Sequence, residues 1–93
     1  MKVPGALVAW PNPAVGSVAL RFAIPSDENP SLGIYDVSGR HIRTLVTNSR
    51  SSAEQELLWD GNDDQGRSVA SGTYFVRLQW AEGSATSRVM LLR

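Results

Sequence analysis

The sequence predicts an all-β fold, an antiparallel sandwich of two sheets, and three observations support this prediction. Apolar residues recur at every second position through most of the chain, which is the period of a strand with one buried face. Short clusters of Gly, Pro, Asn, Asp and Ser separate these segments, as turns do. A length of 93 residues, 42% of them hydrophobic, suffices for one core but not for two. We therefore expect a single domain over residues 1–93.

The first two strands follow from alternating segments that end at proline clusters. Residues 6–10 are predicted as a short strand that ends at Pro11-Asn12-Pro13, where Pro11 and Pro13 hold the chain extended as it enters the sandwich. Residues 17–24 are predicted as the second strand, and the turn residues 25–30 close it. Its inward side chains are Val18, Leu20, Phe22 and Ile24.

A hairpin and a further strand occupy the middle of the chain. Residues 32–47 are predicted as a hairpin about the pair Ser38-Gly39, because Gly39 lets the chain reverse tightly. Residues 54–59 alternate in hydrophobicity, and Trp59 is expected to fill the core.

The last two strands carry the most regular alternation. Residues 73–81 form one strand, and Gly72 is expected to permit a bend before it. The Tyr74 hydroxyl is expected to bond back to a nearby backbone group, as in the tyrosine corner of sandwich domains. Residues 85–92 form the final strand. About seven short strands in a chain of this length predict an immunoglobulin- or fibronectin-III-like sandwich, with a closed barrel as the alternative.

Composition excludes several classes of function. The net charge is zero and charges of both signs are interspersed, so nothing favours nucleic acid or an anionic membrane as a partner. The absence of cysteine excludes disulfides and thiolate chemistry. No apolar run is as long as a membrane span, and Pro4 and Gly5 interrupt what would be a signal peptide. We expect either a cytoplasmic chain or a piece of a longer exported protein.

The loop over residues 60–66 is the one cluster of metal-ligating side chains in the sequence. Its candidate calcium ligands stand at alternate positions: Asp60, Asn62 and Asp64. A helix-flanked calcium loop would have Gly where Gln65 stands and a bidentate Glu where Ser71 stands. We therefore predict a tight turn in which Gly61 and Gly66 supply positive φ, and keep weak calcium binding as an alternative.

No motif for catalysis or for a cofactor emerges from the sequence. His41 is the only histidine and is expected to lie exposed beside Arg40 and Arg43, without the acid and serine that nucleophilic catalysis requires. No Gly-rich phosphate loop precedes a helix. We expect a protein that is not an enzyme, with no cofactor and no small-molecule substrate.

The aromatic residues offer a further alternative, a platform for sugar rings. Four of them are in phase with inward aliphatic residues and are assigned to the core: Phe22, Trp59, Tyr74 and Trp80. Trp10 and Phe75 are not explained in this way. Together they would make a small exposed platform, so a carbohydrate-binding module is kept as a hypothesis.

Several short motifs occur in a fixed order from about residue 10 to residue 93. They are Pro11-Asn12-Pro13 with Gly16, the strand 18–24, Ile34-Tyr35-Asp36-Val37-Ser38-Gly39-Arg40, Trp59-Asp60-Gly61 through Gly66, Ser71-Gly72-Thr73-Tyr74, and Ser87-Arg88-Val89-Met90-Leu91-Leu92. In this order and spacing they resemble the C-terminal sorting domain of the type IX secretion system. They are also similar to the immunoglobulin-like module of flagellar hook-capping proteins. The structural positions that carry the resemblance are Pro11, Pro13, Gly39, Trp59, Asp60, Gly61, Gly66, Gly72 and Tyr74.

The resemblance to sorting domains implies a non-catalytic export address at the C-terminus of a larger cargo protein. It implies secretion through the periplasm to the cell surface, with the outer-membrane secretion machinery and a sortase-like peptidase as partners. The final strand is the expected recognition segment, namely Arg88, Val89, Met90, Leu91, Leu92 and Arg93. An exposed edge strand could be recognised by strand addition. The similarity to hook-capping proteins implies the alternative, a structural or accessory module or spacer.

Overall fold

The computed structural model describes residues 7–23, 30–45, 55–80 and 83–93, and its regular elements are strands. In chain order they are β1 (Leu7–Trp10), β2 (Ala14–Val15), β3 (Val18–Phe22), β4 (Ser31–Asp36), β5 (His41–Leu45), β6 (Gln55–Trp59), β7 (Gly72–Trp80) and β8 (Gly83–Leu92). Over these residues there is no helix that is long and apolar enough to cross a membrane. The ends predicted for several strands, at residues 6, 24, 46–47 and 81, lie outside the described residues.

The strands form two sheets, which confirms the predicted all-β sandwich and not the barrel. One sheet has three strands in the order β1-β3-β6, and the other has five in the order β2-β8-β7-β4-β5. The N-terminal segment contributes to both sheets, since β1 pairs antiparallel with β3 and β2 pairs parallel with β8. This strand order, with an N-terminal strand that changes sheets, is typical of immunoglobulin-like sandwiches.

The core lies between the two sheets and contains the alternating residues of each strand. Its largest fully buried side chains are Trp59, Phe22, Leu20, Leu32, Ile34, Leu78, Leu91, Val18, Val76 and Val89. Trp59 from β6 meets Tyr74 from β7 edge to face, with ring centroids 5.4 Å apart and planes at 70°. This contact joins the two sheets, and aromatic pairs of this geometry stabilise a fold beyond the area they bury.

Some features of the strands differ from the prediction. The two-residue strand β2 was not predicted, because its parallel pairing with β8 joins segments about 75 residues apart, which a local pattern cannot indicate. Val37 is 71% exposed, since β4 ends at Asp36 and the turn begins there. The final strand starts at Gly83, two residues earlier than predicted, where Gly83 lies close against the Trp80 ring.

Three predictions about special backbone positions have different outcomes. The peptide bonds before Pro11 and Pro13 are both cis, in a segment of bends between β1 and β2, and not in an extended run. Gly72 does not have the positive φ of a glycine turn, and a Cβ added there would meet no atom within 4 Å. The chain bends at Ser71, directly before Gly72, and neither the φ of Gly72 nor the space around it requires a glycine there. Gly61 and Gly66 have φ values of 77° and 81°, as predicted.

The Tyr74 hydroxyl provides a direct test of the corner that closes the loop before β7. It donates a hydrogen bond to the Ala70 carbonyl at 2.6 Å, the bond expected from the sequence. Replacing Tyr74→Phe removes this bond and leaves the ring in place, so the free energy of unfolding should fall by about 1 kcal/mol. Tyr35→Phe is the matched control, because the Tyr35 hydroxyl makes no hydrogen bond within the described residues. Equal urea midpoints for the two variants would contradict the assignment.

Candidate functional site

The same five-residue turn occurs twice in the chain, at Asp36–Arg40 and at Asp63–Arg67. In each, the Asp Oδ1 accepts hydrogen bonds from the backbone N–H groups two and four residues later, at 2.9–3.0 Å. In each, the glycine fourth in the turn has positive φ and donates its N–H to the Asp carbonyl at 3.0 Å. The closing arginine lies 3.4 or 3.5 Å from the second carboxylate oxygen. Sequence analysis did not identify this repeat, although both copies read Asp-x-x-Gly-Arg.

The hydrogen bonds within each turn stabilise the charged form of its aspartate. The hydrogen bond from the Ser38 hydroxyl, followed by that from the Arg40 N–H, lowers the pKa of Asp36 below its ordinary 3.8. The hydrogen bond from the Arg67 N–H is the largest of the causes that lower the pKa of Asp63 in the same way. Both turns are therefore held together most firmly when these carboxylates are ionised.

The loop over residues 60–66 docks on the outer edge of β5. The Asp64 N–H donates to the Ile42 carbonyl at 3.1 Å, and the Thr44 N–H donates to Asp64 Oδ1 at 3.0 Å. Arg43 adds a bond from Nη1 to Asp60 Oδ1 at 2.9 Å. Asp64 therefore pairs with the free backbone groups of β5 as an added strand would, and it closes this edge of the five-stranded sheet.

The three candidate calcium ligands are already engaged within the protein. Asp60 Oδ1 accepts from Arg43 and from the Asn62 N–H, and Asp64 Oδ1 accepts from the Thr44 N–H. Asn62 Oδ1 accepts from the Ser68 hydroxyl at 3.4 Å. The Arg43 guanidinium lies 2.9 Å from Asp60 and 4.0 Å from Asp64, where a cation bridging the two would stand. Over the described ranges, no three acidic, histidine or cysteine side chains converge as metal ligands. In this structure these oxygens therefore hold the loop together and against β5.

His41 belongs to a polar cluster that the sequence did not indicate. Its Nε2 lies 2.8 Å from Thr44 Oγ1, and its Nδ1 lies 3.7 Å from Asp64 Oδ2. The imidazole also contacts Tyr35 edge to face, at a centroid distance of 5.4 Å. Because the side chain is 41% exposed, the cluster lies at the surface and not in a cleft. Its contacts connect β5 to the docked loop.

The residues of the predicted recognition segment alternate between the core and the surface. Val89 and Leu91 are fully buried, so their side chains cannot contact a partner. Arg88, Met90 and Leu92 point outward and are exposed. Within the part of the predicted segment that lies on β8, only these alternate side chains are therefore available for recognition.

Arg93 is part of the fold and not a free basic end. Its guanidinium donates to the carbonyls of Gly61 and Val69, the latter at 3.0 Å, and its backbone N–H donates to Ser71 Oγ at 2.9 Å. A Cβ added at Gly61 would come within 2.7 Å of the Gly16 carbonyl oxygen. The predicted motif residue Gly61 therefore lies where the loop over residues 60–66 meets both the turn before β3 and Arg93.

The outer edge of β8 is closed over part of its length. Asn12 Oδ1 accepts from the Met90 N–H at 3.1 Å, and the Gly16 N–H donates to the Leu92 carbonyl at 3.1 Å. Together with the pairing of β2, these bonds leave no free edge at residues 90–92 among the described residues. Strand addition at this part of the predicted recognition segment would require β2 to detach.

A small apolar surface lies on β2 and β8, and we call it the terminal patch. It consists of Val15, which is 75% exposed, with Met90 and Leu92. Val15 and Leu92 are direct partners in the parallel ladder, so their side chains lie side by side. Arg88 precedes this patch on the same face of β8.

The two aromatic residues of the predicted sugar platform, Trp10 and Phe75, lie on different sheets and so do not form one platform together. Trp10 is at the end of β1 in the three-stranded sheet, where the Arg21 guanidinium stacks 4.7 Å from the ring centroid. Phe75 is in β7, at the centre of the five-stranded sheet. The alternation of β7 correctly placed Phe75 outward, but the sequence could not show which sheet each residue joins.

Strand order, core and corner together define an immunoglobulin-like β-sandwich domain. The family model for the FlgD Ig-like domain matches residues 12–84, which is well over half of the chain. The chain therefore belongs to the FlgD Ig-like domain family. No protein of curated function shows significant sequence similarity to it.

Solved structures show the same fold in bacterial proteins. The chain is similar to dimeric latent PorU from Porphyromonas gingivalis, with 25% identity, a TM-score of 0.78, and coverage of 92% of this chain and 9% of that chain. It is similar to FlgD from Xanthomonas campestris, with 29% identity, a TM-score of 0.66, and coverage of 95% and 63%. It shares its fold with PorZ of P. gingivalis, at 24% identity, a TM-score of 0.68, and coverage of 94% and 11%. The chain thus spans less than two thirds of each of these proteins.

The glycines of the repeated turn should be more sensitive to substitution than Gly72. Gly39→Ala or Gly66→Ala forces an L-residue into positive φ and should lower the free energy of unfolding by about 1 kcal/mol. Gly72→Ala, at ordinary φ and with open space for a Cβ, should change it by less than about 0.5 kcal/mol. Urea denaturation of the three variants measures this. A loss of stability for Gly72→Ala as large as that for the other two variants would show that this position requires a glycine.

Acid should weaken the two turns. Because the pKa values of Asp36 and Asp63 are lowered by folding, their contribution is complete above about pH 4 and is lost as the pH falls through the lowered values. The double variant Asp36→Asn/Asp63→Asn keeps the acceptor oxygens but not the charges, so its stability should fall less between about pH 4 and 2. Urea midpoints measured across this range provide the comparison. An equally steep loss in the wild type and the double variant would refute the linkage.

Proposed function

We propose that this chain is a C-terminal sorting domain of the type IX secretion system. It acts without catalysis and directs a larger cargo protein to the cell surface. The proposal is supported by the order of its motifs and by its similarity to PorU over 92% of its length. PorZ, whose fold it shares, is described as an essential bacterial surface component of the type-IX secretion system.

The observation that carries the proposal is the construction of β8. Val89 and Leu91 lie in the core, while Met90 and Leu92 between and after them are 47% and 40% exposed. A partner that contacts Met90 and Leu92 therefore recognises only a domain that has folded. We propose the terminal patch as the contact surface, in place of a flexible tail or a free strand edge.

The proposed partners are the outer-membrane secretion machinery and a sortase-like peptidase. The cargo would lie upstream, and the path would run through the periplasm to the cell surface. The spans matched in PorU and PorZ, 9% and 11% of those chains, are consistent with a small domain carried by a much larger protein.

A non-catalytic role agrees with the polar cluster around His41. A hydroxyl nucleophile would need nearby N–H donors for the oxyanion that forms during acyl transfer. The Thr44 N–H, which is adjacent to its own hydroxyl, already donates to Asp64. The cluster is thus committed to holding the loop against β5.

The second candidate is a structural or accessory module of the hook-capping kind. Membership of the FlgD Ig-like family and 29% identity to FlgD over 95% of this chain favour it. In that role the domain would act as a spacer or packing unit, and export of the protein that carries it would not depend on it.

Charged residues on the terminal patch should block sorting without unfolding the domain. In a reporter fused upstream of this domain, Met90→Glu/Leu92→Glu should leave most of the reporter in the periplasm. Because both side chains are exposed, we expect stability to change by no more than about 1 kcal/mol. Surface and periplasmic fractions measure the outcome, and circular dichroism verifies the fold.

Leu58→Glu is the matched control, since Leu58 is 65% exposed but lies on the three-stranded sheet. It should leave export unchanged. Normal export of the folded double variant would exclude the terminal patch as the contact. Normal export after removal of the whole domain would favour the structural module.

A further inference from the structure

An aromatic row crosses the outer face of the five-stranded sheet. Across the ladders, His41 is paired with Tyr35, Tyr35 with Phe75, and Phe75 with Arg88. These four residues, three aromatic rings followed by an arginine, therefore lie side by side on β5, β4, β7 and β8. We call them the aromatic row. Neighbouring strands are about 4.8 Å apart, so the row presents one side chain at each such step.

Gly33 allows Tyr35 to lie flat on the sheet. A Cβ at Gly33 would stand 2.9 Å from Tyr35 Cε1 and 3.0 Å from its hydroxyl oxygen, which shows that the ring covers the glycine. One ring face thus packs on backbone while the residue as a whole remains half-buried. The neighbouring Phe75 is also half-buried. These two rings form the base of a groove of about 350 Å³ whose lining includes Val37, Arg77 and Thr86.

The arginines at this groove differ from most of the others in the described part of the chain. Arg21, Arg40, Arg43 and Arg67 each have a carboxylate within 3.5 Å. No carboxylate pairs with Arg77 or Arg88 in the described ranges, and both are exposed. Both are neighbours of Phe75, since Arg77 is two residues along the same strand and Arg88 is its cross-strand partner.

Within the described part of the chain, no carboxylate therefore balances the positive charge of Arg77 and Arg88. Asp36 also lines it, but Asp36 Oδ1 accepts three hydrogen bonds within its turn and Oδ2 lies 3.4 Å from Arg40. A second hollow of about 260 Å³ lies beside it, lined by Asn12, Thr73, Arg88 and Met90. Arg88 lines this second hollow, and its cross-strand partner Phe75 lines the groove.

We infer that this groove binds an acidic saccharide, with pyranose rings on Tyr35 and Phe75 and carboxylates on Arg77 and Arg88. The C–H face of a pyranose is apolar and packs on aromatic rings, and guanidinium groups bind carboxylates through paired hydrogen bonds. The strand spacing is comparable with the length of one sugar unit, so successive rings could occupy successive strands. An acidic peptide fits less well, because the face of a sheet has no free backbone groups to pair with a peptide.

The inference does not rest on the proposed sorting function, although Met90 of the terminal patch also lines the second hollow. The terminal patch is at β2 and the end of β8, whereas the rings of the groove are on β4 and β7. Failure of one proposal leaves the other standing, since export and saccharide binding are measured separately.

The test is a titration followed by NMR chemical shifts of the backbone amides. The probe is a hexamer of α-linked galacturonic acid, and a neutral glucose hexamer and a hexaglutamate peptide serve as comparisons. The acidic saccharide should shift amides at residues 33–35, 75–77 and 86–88 in a saturable way. Arg88→Gln or Phe75→Leu should weaken binding about tenfold, which corresponds to about 1.4 kcal/mol. Arg21→Gln, on the other sheet, should bind as the wild type does.

Several outcomes would overturn the inference. Affinity weaker than about 1 mM for the acidic saccharide would exclude a built site. Equal binding of the neutral hexamer would exclude the role of the arginines. Equal or tighter binding of hexaglutamate would assign the groove to an acidic peptide. Amide spectra of each variant establish that the fold is retained, so loss of binding in a folded variant is specific.

Discussion

The edge-to-face contact of Trp59 with Tyr74 is the interaction on which the rest of the domain depends. The two rings come from different sheets and also bracket the loop that joins β6 to β7. Each ring holds a carbonyl of that loop: Trp59 Nε1 donates to Asn62 at 2.9 Å, and the Tyr74 hydroxyl donates to Ala70. One buried pair thus joins the sheets and fixes both ends of the segment between them.

That loop in turn completes the five-stranded sheet. Asp64 occupies the free backbone groups of β5 at one edge, and the carbonyls of Gly61 and Val69 hold Arg93 beyond the end of β8 near the other. Asn12 and β2 close the edge of β8 beside it. Unpaired strand edges are sites of unwanted pairing between molecules. Where these edges are closed, at Ile42–Thr44 of β5 and at residues 90–92 of β8, exposed side chains are left to contact a partner.

Local pattern determined most of the strands and the direction of their side chains. Because successive side chains of a strand point to opposite faces, the alternation of Val18, Leu20 and Phe22 was enough to place them in the core. Turn chemistry was equally local, since Gly66 needed positive φ within a cluster of Asp and Asn. The Tyr74 corner was also foreseeable, because its hydroxyl reaches a backbone carbonyl only four residues away.

Only the tertiary structure decided which segments lie together. The parallel pairing of β2 with β8, the assignment of Trp10 and Phe75 to opposite sheets, and the approach of Asp64 to β5 all join residues distant in sequence. Periodicity specifies the face of a strand on which a residue lies, but not which strand will be its neighbour. Neighbours are selected by the packing of the whole core, so the composition of every surface that could bind a partner was settled at that level.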